Sequence, residues 1–404
     1  MNSVGFRPRN PFVNLIAMSN PDFDLLIRAG QVLLEATGLS GSGAASIRGG
    51  CIVAAGAEVD CNARQTFSLP DGVLLPGLID LHAHPARSGS VFGLDPDRFM
   101  LPRGVTTVLS QGDAGAVHLP EFVQETINPC QTRVRLAVNL SRIGESTIAG
   151  CFDRLADADV DACLAAIEAH REQIWGIAVN LSHHACGNTD PGEIFDRGLR
   201  VAEQSGLPLL FGMRRTSDIP FAEQLKRLRP GDVVTYCFRR EPHCIIERGR
   251  VHPAVREARE RGVLFDVGHG TASFSFDVAE AAIGDGFLPD TISTDLQAKH
   301  ISAGQPHDLP LVMSKLRAAG MQEQGILNAV TRVPADVLRL DQTIGTLSSG
   351  MAADLTVLRW DDEPRKLIDT HGVVRRGGTW EPLLTVRDGR IVVDREAPAI
   401  ASEM

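Results

Sequence analysis

Eight short apolar runs that alternate with segments of helix length constrain the fold of this 404-residue chain most strongly. They begin after Pro76 and read LIDLHAH, VTTVLSQG, VRLAVNL, IWGIAVNLS, LPLLFG, DVVTYCF, VLFDVGHG and DTISTD. Strand-like runs separated by helices are typical of a parallel sheet made of βα units, and eight units are needed to close a barrel. We therefore predict an α/β protein with a TIM-like (β/α)8 barrel over residues 76–342. A doubly wound open sheet is the structural alternative.

The two flanks of this region have a different pattern. From Asp24 to about Pro76, and again from about Gly345, short apolar runs are separated by glycine. This pattern indicates small β-strands joined by tight turns. We predict that residues 22–75 and 343–398 pair into one small β-sandwich domain built from both chain ends. Residues 1–21 are too polar for a signal sequence or a membrane span, and we expect a loose N-terminal tail.

Charge and cysteine usage restrict the partners. The formal net charge is −10 and the basic residues are scattered, which excludes the electrostatic footprint of a nucleic-acid or acidic-membrane binder. The eight cysteines contain no CxxC pair, so we expect reduced thiols and a cytoplasmic location. A small-molecule substrate is the expected partner, and a homo-oligomer remains open.

Three residues are candidates for a metal site. His82 and His84 end the first strand run, and because strand side chains alternate, both point to the barrel interior. Asp295 ends the eighth run, which a closed barrel places beside the first strand. Two histidines and one carboxylate form the three-ligand set of an open catalytic zinc site. We predict one divalent ion, with zinc preferred over Mn²⁺, Co²⁺ or Fe²⁺; a structural salt bridge is the alternative for Asp295.

Several motifs carry a family resemblance: PGLIDLHAHP, GVTTVLSQGDAG, LRPGDVVTYCF, GVLFDVGHGTASFSF, DTISTDLQ and GTLSSGMAADLTV. Together they resemble the amidohydrolase superfamily, and more narrowly its dihydroorotase-related deacetylase branch, from about residue 22 to residue 360. The resemblance implies a distorted (β/α)8 barrel with a β-sandwich, and hydrolysis of an amide or ester, often an acetyl group.

The chain departs from that branch at the second metal. The resemblance implies a carboxylated lysine on strand four and one histidine each on strands five and six. Those positions hold Ala178, Gly212 and Tyr236, and the first lysine of the chain is Lys226. We therefore predict that the second-metal ligands are lost and that one ion is bound.

Other polar residues near the strand ends are candidates for the substrate pocket. We assign substrate binding to the loop after strand four and to residues near the ends of strands five and six, namely His183, Cys186, Arg214, Arg215, Tyr236, Arg239 and His243. The arginines would clamp a substrate carboxylate, with solvated surface charges as the alternative. His184 is a weaker candidate, as an additional metal ligand.

The predicted reaction is hydrolysis of an amide, lactam or ester bond, such as an N- or O-acetyl bond, in a small acidic substrate by metal-activated water. Asp295 would act as the base, and His269, in VGHGTAS, would bind or polarise the scissile carbonyl. A structural role is the alternative for His269. The alternative reaction is deamination of a ring C–N bond, and the alternative from another class is a non-catalytic metal- or ligand-binding pseudoenzyme.

Overall fold

The computed structural model describes residues 22–34, 36–214, 217–304 and 306–394. Its strands, in chain order, are β1 Phe23–Leu34, β2 Gly38–Ser40, β3 Gly43–Arg48, β4 Cys51–Gly56, β5 Ala63–Pro76, β6 Leu78–Ala83, β7 Val105–Gln111, β8 Arg133–Asn139, β9 Ile174–Asn180, β10 Leu209–Gly212, β11 Val233–Val234, β12 Ile246–Glu247, β13 Arg250–Val251, β14 Leu264–Phe265, β15 Leu355–Ile368, β16 Val374–Arg387 and β17 Arg390–Asp394. The helices are α1 Pro96–Phe99, α2 Leu119–Phe122, α3 Val160–Ala169, α4 His183–Cys186, α5 Pro191–Ser205, α6 Phe221–Arg227, α7 Pro253–Glu260, α8 Phe276–Gly284, α9 Ala298–Ser302, α10 Leu309–Ala318, α11 Glu323–Asn328 and α12 Arg332–Val337.

The barrel is a parallel sheet of seven strands in the order β14-β11-β10-β9-β8-β7-β6, closed by the eighth predicted run. That run is no continuous strand: Thr291 pairs with Asp266 after β14, and Leu296 pairs with Ala83 of β6. The interruption lies at Asp295, whose backbone φ of 51° is incompatible with a strand. The predicted barrel is confirmed, with an irregular eighth strand that presents Asp295 beside β6.

The second sheet joins both ends of the chain in the order β17-β16-β15-β5-β1-β3-β4. Leu74 of β5 pairs in parallel with Val32 of β1 and antiparallel with Val357 of β15, so β5 connects the two halves. Buried side chains of both halves, among them Ile27 and Val386, share one hydrophobic cluster. The predicted domain built from both chain ends is confirmed, as one continuous hydrogen-bonded sheet.

The helices pack their apolar faces on the barrel. In α5 the buried side chains include Phe195 and Val201, while Asp190 caps the first turn by accepting a hydrogen bond from the Gly192 backbone at 2.9 Å. Helix α10 buries Leu309, Val312, Met313 and Leu316, and on the same buried surface it carries Lys315. A charged side chain on that surface is unusual and bears on the site below.

The turn between β15 and β16 lies against the barrel. The Asp369 carboxylate accepts a hydrogen bond from the Phe276 backbone at 3.0 Å, and the Thr370 hydroxyl donates to the Phe274 carbonyl at 2.7 Å. All eight cysteines are free thiols. In the described ranges, no helix combines the length and the apolar character that a membrane crossing requires.

Candidate active site

The three predicted metal ligands converge at the carboxyl end of the barrel. One ligand atom from each of His82, His84 and Asp295 lies within 4.8 Å of the other two, and all three residues are buried. Asp295 Oδ1 lies 3.1 Å from His84 Nε2 and 3.6 Å from His82 Nε2. Within the described part of the chain, this is the one such group of three or more histidine, cysteine or carboxylate side chains.

The other ring nitrogens of both histidines are held by an outer set of polar side chains. His84 Nδ1 donates to Asp113 Oδ1 at 2.9 Å, and Asp113 also accepts from Ser90 and Ser110. His82 Nδ1 lies 2.7 Å from the Thr235 hydroxyl. These contacts leave both Nε2 atoms facing Asp295, which is the arrangement that orients histidines in metal sites.

Thr235 is fixed in turn by Asp266 on the neighbouring strand end. The Thr235 hydroxyl donates to Asp266 Oδ2 at 2.9 Å, and it therefore accepts the proton of His82 Nδ1. Asp266 also accepts from Thr291 at 2.7 Å and from Ser293 at 2.6 Å. Burial raises the pKa of Asp266 to about 6, although these hydrogen bonds oppose the shift.

The protonation states of His82 and Asp295 suit a cation-binding centre. Burial lowers the pKa of His82 to about 4, so its imidazole is neutral at physiological pH. Burial also opposes charge on Asp295, but the hydrogen bond from His84 and the nearby His82 hold the pKa of Asp295 below its usual value. Two imidazoles and a carboxylate are the donors that zinc accepts in catalytic sites, so the residues fit a divalent cation.

Asp80 fixes the backbone that presents Asp295. Its carboxyl group accepts hydrogen bonds from the Thr294 hydroxyl at 2.5 Å and from the Thr294 backbone at 3.0 Å. Asp295 itself has the positive φ described above, and its backbone N–H donates to the His82 carbonyl at 2.6 Å. Sparsely populated backbone conformations of this kind persist where neighbouring contacts enforce them.

The positions expected to hold a second metal offer few donors. Ala178 and Gly212 carry no polar side-chain atom, and a Cβ at Gly212 would lie 2.7 Å from Asn180 Oδ1. The Tyr236 hydroxyl lies 3.4 Å from His82 Nε2, which places it at the predicted site. The number of bound ions stays a prediction.

The structure does not bring the residues of the loop after β9 into the three-residue group. Phe92 separates His184 from His84, with its ring 6.2 Å from the former and 5.3 Å from the latter. His183 pairs with Asp218 at 3.2 Å. The Cys186 thiol is buried, which raises its pKa to about 12. His243 follows the cis Glu241–Pro242 peptide bond. The assignments of His183, His184, Cys186 and His243 stay predictions.

The candidate arginines differ in their surroundings. Arg214 is buried, where it donates to Asp218 at 2.7 Å and to the Leu181 carbonyl at 3.2 Å, so its guanidinium serves internal contacts. Arg215 lies outside the described residues. The Arg239 guanidinium lies 4.0 Å from the Tyr236 ring centroid, beside the metal site, and its Nε donates to Ser273 at 2.8 Å. Of the two described arginines, Arg239 is the one that contacts Tyr236, and its substrate-binding role stays a prediction.

His269 has partners on both ring nitrogens. Its Nδ1 donates to the Gly270 carbonyl at 2.9 Å, and its Nε2 accepts from Lys315 Nζ at 2.9 Å. Its ring stacks on Phe274 with the centroids 4.8 Å apart. Burial and the Lys315 charge lower the pKa of His269 well below its usual value, so the ring is neutral. Neither nitrogen is free to meet a scissile carbonyl in this arrangement, and its catalytic role stays a prediction.

Comparisons with known proteins agree with this geometry. No protein-family model matches the chain. A deacetylase of Agrobacterium fabrum is 33% identical over 334 residues, which are 81% of this chain and 80% of the relative. A deacetylase of Enterococcus faecalis is 32% identical over 377 residues, 92% of this chain and 99% of the relative. The crystal structure of an adenine deaminase matches with a TM-score of 0.83 and 29% identity over 92% of this chain and 99% of that chain. That of a dihydroorotase matches with a TM-score of 0.81 and 31% identity, over 91% and 98%.

Two histidines and a carboxylate converge at the carboxyl end of the barrel strands. This arrangement is typical of barrel hydrolases whose active site holds a metal ion. The chain belongs to the amidohydrolase superfamily, on its deacetylase branch. The resemblance stated from the sequence motifs is thereby confirmed.

Proposed function

We propose that this protein hydrolyses an N- or O-acetyl bond of a small acidic molecule, using one divalent cation, preferably zinc, held by His82, His84 and Asp295. The observation that carries the proposal is the convergence of these three buried side chains. The Nδ1 atoms of the two histidines are hydrogen-bonded to Thr235 and Asp113, so that their Nε2 atoms face the cation site. The two deacetylases that match most of this chain support the acetyl group as the part that leaves.

Asp295 has a further task that follows from its contacts. A divalent cation bound there supplies Lewis acidity, which lowers the pKa of a water molecule toward 7 and polarises a carbonyl group. Asp295 directs Oδ1 at the two histidines, and its Oδ2 lies where a Cβ on Gly270 would be 2.5 Å away. A side chain at position 270 would therefore collide with that oxygen, and glycine avoids the collision. We infer that Asp295 accepts the proton of the attacking water and returns it to the leaving group.

The walls of the site are suited to an acidic substrate. The Arg239 guanidinium, stacked on Tyr236, adds positive charge next to the His82 ring, whose centroid lies 5.0 Å from that of Tyr236. The Tyr236 hydroxyl can donate to a substrate oxygen held near His82, since burial raises the pKa of Tyr236 well above its usual value and keeps the proton in place.

Deamination is the second candidate, since the matching structure with a TM-score of 0.83 is described as an adenine deaminase. Both reactions begin with attack of water on a trigonal carbon, so the residues that hold the cation and the proton are the same. They differ in the product that leaves, because deacetylation releases acetate and deamination releases ammonia.

The test is a product assay on zinc-loaded full-length protein. A panel of N-acetyl amino acids, O-acetyl hydroxy acids and adenine is incubated with the wild type, and acetate and ammonia are measured separately. We expect acetate from acidic members of the panel, and we expect Asp295→Asn to abolish most of it. Asp277→Asn, a change to an exposed carboxylate on α8, is the matched control and should retain wild-type rates. Ammonia from adenine without acetate would reverse the order of the two candidates.

A further inference from the structure

Lys315 is a buried ammonium group without a counter-ion. It is 5% exposed on α10, and its one hydrogen bond is to His269 Nε2. Among the described residues, no carboxylate lies within 4.0 Å of its Nζ. The carboxylates whose charges raise the pKa of Lys315 are Asp369 and Asp308. Each of them accepts hydrogen bonds from backbone N–H groups. A buried charge is expensive without a partner, so two N–H donors of Lys315 remain to be satisfied by something outside these residues.

A cavity of about 710 Å³ lies at this lysine, between the barrel, α10 and the turn that joins β15 to β16. Two further buried groups on its wall have unused donors. His300 is 6% exposed; its Nδ1 accepts from the Gln297 backbone, and its Nε2 lacks a hydrogen-bond partner. The Thr379 hydroxyl, in a residue 7% exposed, also lacks one. These two residues share the cavity wall with Lys315, whose ammonium group is the charged donor there.

The cavity adjoins the metal site. Gly270 lies on its wall, and Asp295 Oδ2 is just behind that glycine, since a Cβ there would approach the oxygen to 2.5 Å. His307, also on the wall, meets the Thr294 carbonyl at 2.8 Å, one residue before Asp295. Gly270 is therefore the residue at which a molecule with its reacting bond at Asp295 would meet the cavity.

We propose that this cavity binds the carboxylate of the substrate, with Lys315 as its counter-ion. This assignment rests on the proposed function for the identity of the ligand. It places the substrate carboxylate at Lys315 and not at Arg239. A carboxylate matches the two remaining N–H donors of Lys315 because its oxygens accept hydrogen bonds and carry the opposite charge. The depressed pKa of Lys315, about 8 because of burial, is what a lysine shows while its anion is missing.

Direct binding tests the proposal without turnover. The probes are N-acetyl amino acids with side chains of increasing size, each paired with its neutral carboxamide. Binding is measured by calorimetry on zinc-loaded protein that carries Asp295→Asn, so that the probes are not consumed during the titration. We expect at least one acid to bind about tenfold or more tightly than its amide, a difference of about 1.4 kcal/mol. Lys315→Met should remove that preference while leaving the amide unaffected. Lys226→Met, at an exposed lysine on α6, should retain it.

A spectroscopic measurement separates anion binding from a structural role. The chain has four lysines, so protein labelled with ¹³C-lysine gives few side-chain signals, and that of Lys315 is the one lost in Lys315→Met. We expect the acid to raise the pKa of Lys315 more than that of Lys366, which also lines the cavity, and to leave Lys226 and Lys299 unchanged, because a nearby negative charge favours the ammonium form. Lys315→Arg keeps the charge and should keep part of the preference for the acid.

The outcomes distinguish this proposal from the proposed function. An unchanged pKa of Lys315 in the presence of every acid, or a preference that persists in Lys315→Met, overturns the carboxylate site even if acetate is released. Acids that bind and titrate Lys315 while no member of the panel is hydrolysed leave the site standing and refute the deacetylase reaction. If Lys315→Met fails to fold, the wild-type titration and the Lys315→Arg variant decide.

Discussion

His84 Nδ1 donates a 2.9 Å hydrogen bond to Asp113 Oδ1, and this contact determines which histidine nitrogen faces the cation. Asp113 is itself held by Ser90 at 2.6 Å and by Ser110 at 2.5 Å. Burial alone would lower the pKa of His84, yet the Asp113 charge and the hydrogen bonds to Asp113 and Asp295 raise it well above its usual value. Cation binding must displace that proton, so Asp113 affects both orientation and proton release.

We therefore expect Asp113→Asn to weaken zinc binding by about 10- to 100-fold, the range found when an outer partner of a metal-bound histidine is removed. An amide can still accept the Nδ1 proton, but it lacks the charge that raises the basicity of the ring. Competition with a chromophoric chelator measures the affinity, with Asp277→Asn as the control. Equal affinities for Asp113→Asn and the wild type would contradict an orienting role.

Removing either histidine should have a larger effect. His82→Ala and His84→Ala each delete one of three protein ligands, and we expect each to lose most of the bound metal and the activity. Elemental analysis of the folded variants checks this. The control is His170→Ala, which changes a histidine at the end of α3, outside the three-residue group. Full metal content in either ligand variant would show that the cation lies elsewhere.

Asp295→Asn should separate metal binding from proton transfer. The amide oxygen remains a weak ligand between the two histidines, but it does not accept a proton, so turnover should fall at least about 100-fold, the lower end of the range for general acid–base catalysis. Metal occupancy should fall much less. Parallel measurement of kcat and of zinc per chain checks this, and turnover near that of the wild type would identify another residue as the base.

The metal ligands were predictable because they depend on two simple geometric rules. Alternation along β6 places His82 and His84 on one side, and barrel closure places Asp295 beside them. The irregular backbone at Asp295 was not predictable, since the neighbouring Thr294 is held by hydrogen bonds to Asp80, which is distant in sequence. Its φ of 51° replaces a continuous eighth strand with isolated bridges.

The remaining polar network depends on side chains that meet only in the folded barrel. Asp113 and Asp266 each lie near the end of a strand and could have been suspected from that position, but their partners come from other strands. Lys315 gives no signal at all, because a lysine within LPLVMSKLRA is ordinarily taken as exposed. Arg214 shows the converse, since a predicted substrate clamp makes internal hydrogen bonds instead.

Lys315 also predicts a pH dependence of stability. Burial lowers its pKa from 10.5 to about 8, and the negative charges of Asp369 and Asp308 oppose this shift. The neighbouring rings of His269 and His307 add no negative charge that would favour the ammonium form. Between about pH 8 and 10.5 the unfolded chain therefore holds more protons than the native state at this residue, so the free energy of unfolding rises with pH. Below pH 8 the contribution is constant and destabilising.

Urea unfolding of the wild type and of Lys315→Met, in the absence of carboxylate ligands, isolates the contribution of Lys315 to the free energy of unfolding. We expect the stability difference between the two proteins to change in favour of the wild type as the pH rises from 8 to 10, because only the wild type loses a buried charge. The same series with Lys226→Met controls for general effects of removing a lysine. A difference that stays constant over this interval would show that Lys315 titrates normally.

The last prediction concerns the number of metal ions. Zinc ligands lie at about 2.0–2.2 Å from the ion, and a second ion beside the first needs its own imidazole, thiolate or carboxylate donors. Ala178 and Gly212 offer none, and Tyr236 offers one phenolic oxygen whose pKa is raised well above its usual value by burial. A carboxylated lysine on strand four is excluded by the sequence, because the first lysine is Lys226.

We therefore expect elemental analysis of the active protein to give one zinc per chain, and we expect bicarbonate added during metal loading to leave activity unchanged. The contrary case is a second site rebuilt from the loop after β9, where His183 pairs with Asp218 at 3.2 Å and His184 packs on Phe92. Each imidazole would have to break its own contact before it could reach the first ion. The single-ion prediction is refuted if the active protein holds two equivalents of metal, if both are required for turnover, and if His184→Ala holds one. That result would establish the rearranged loop site.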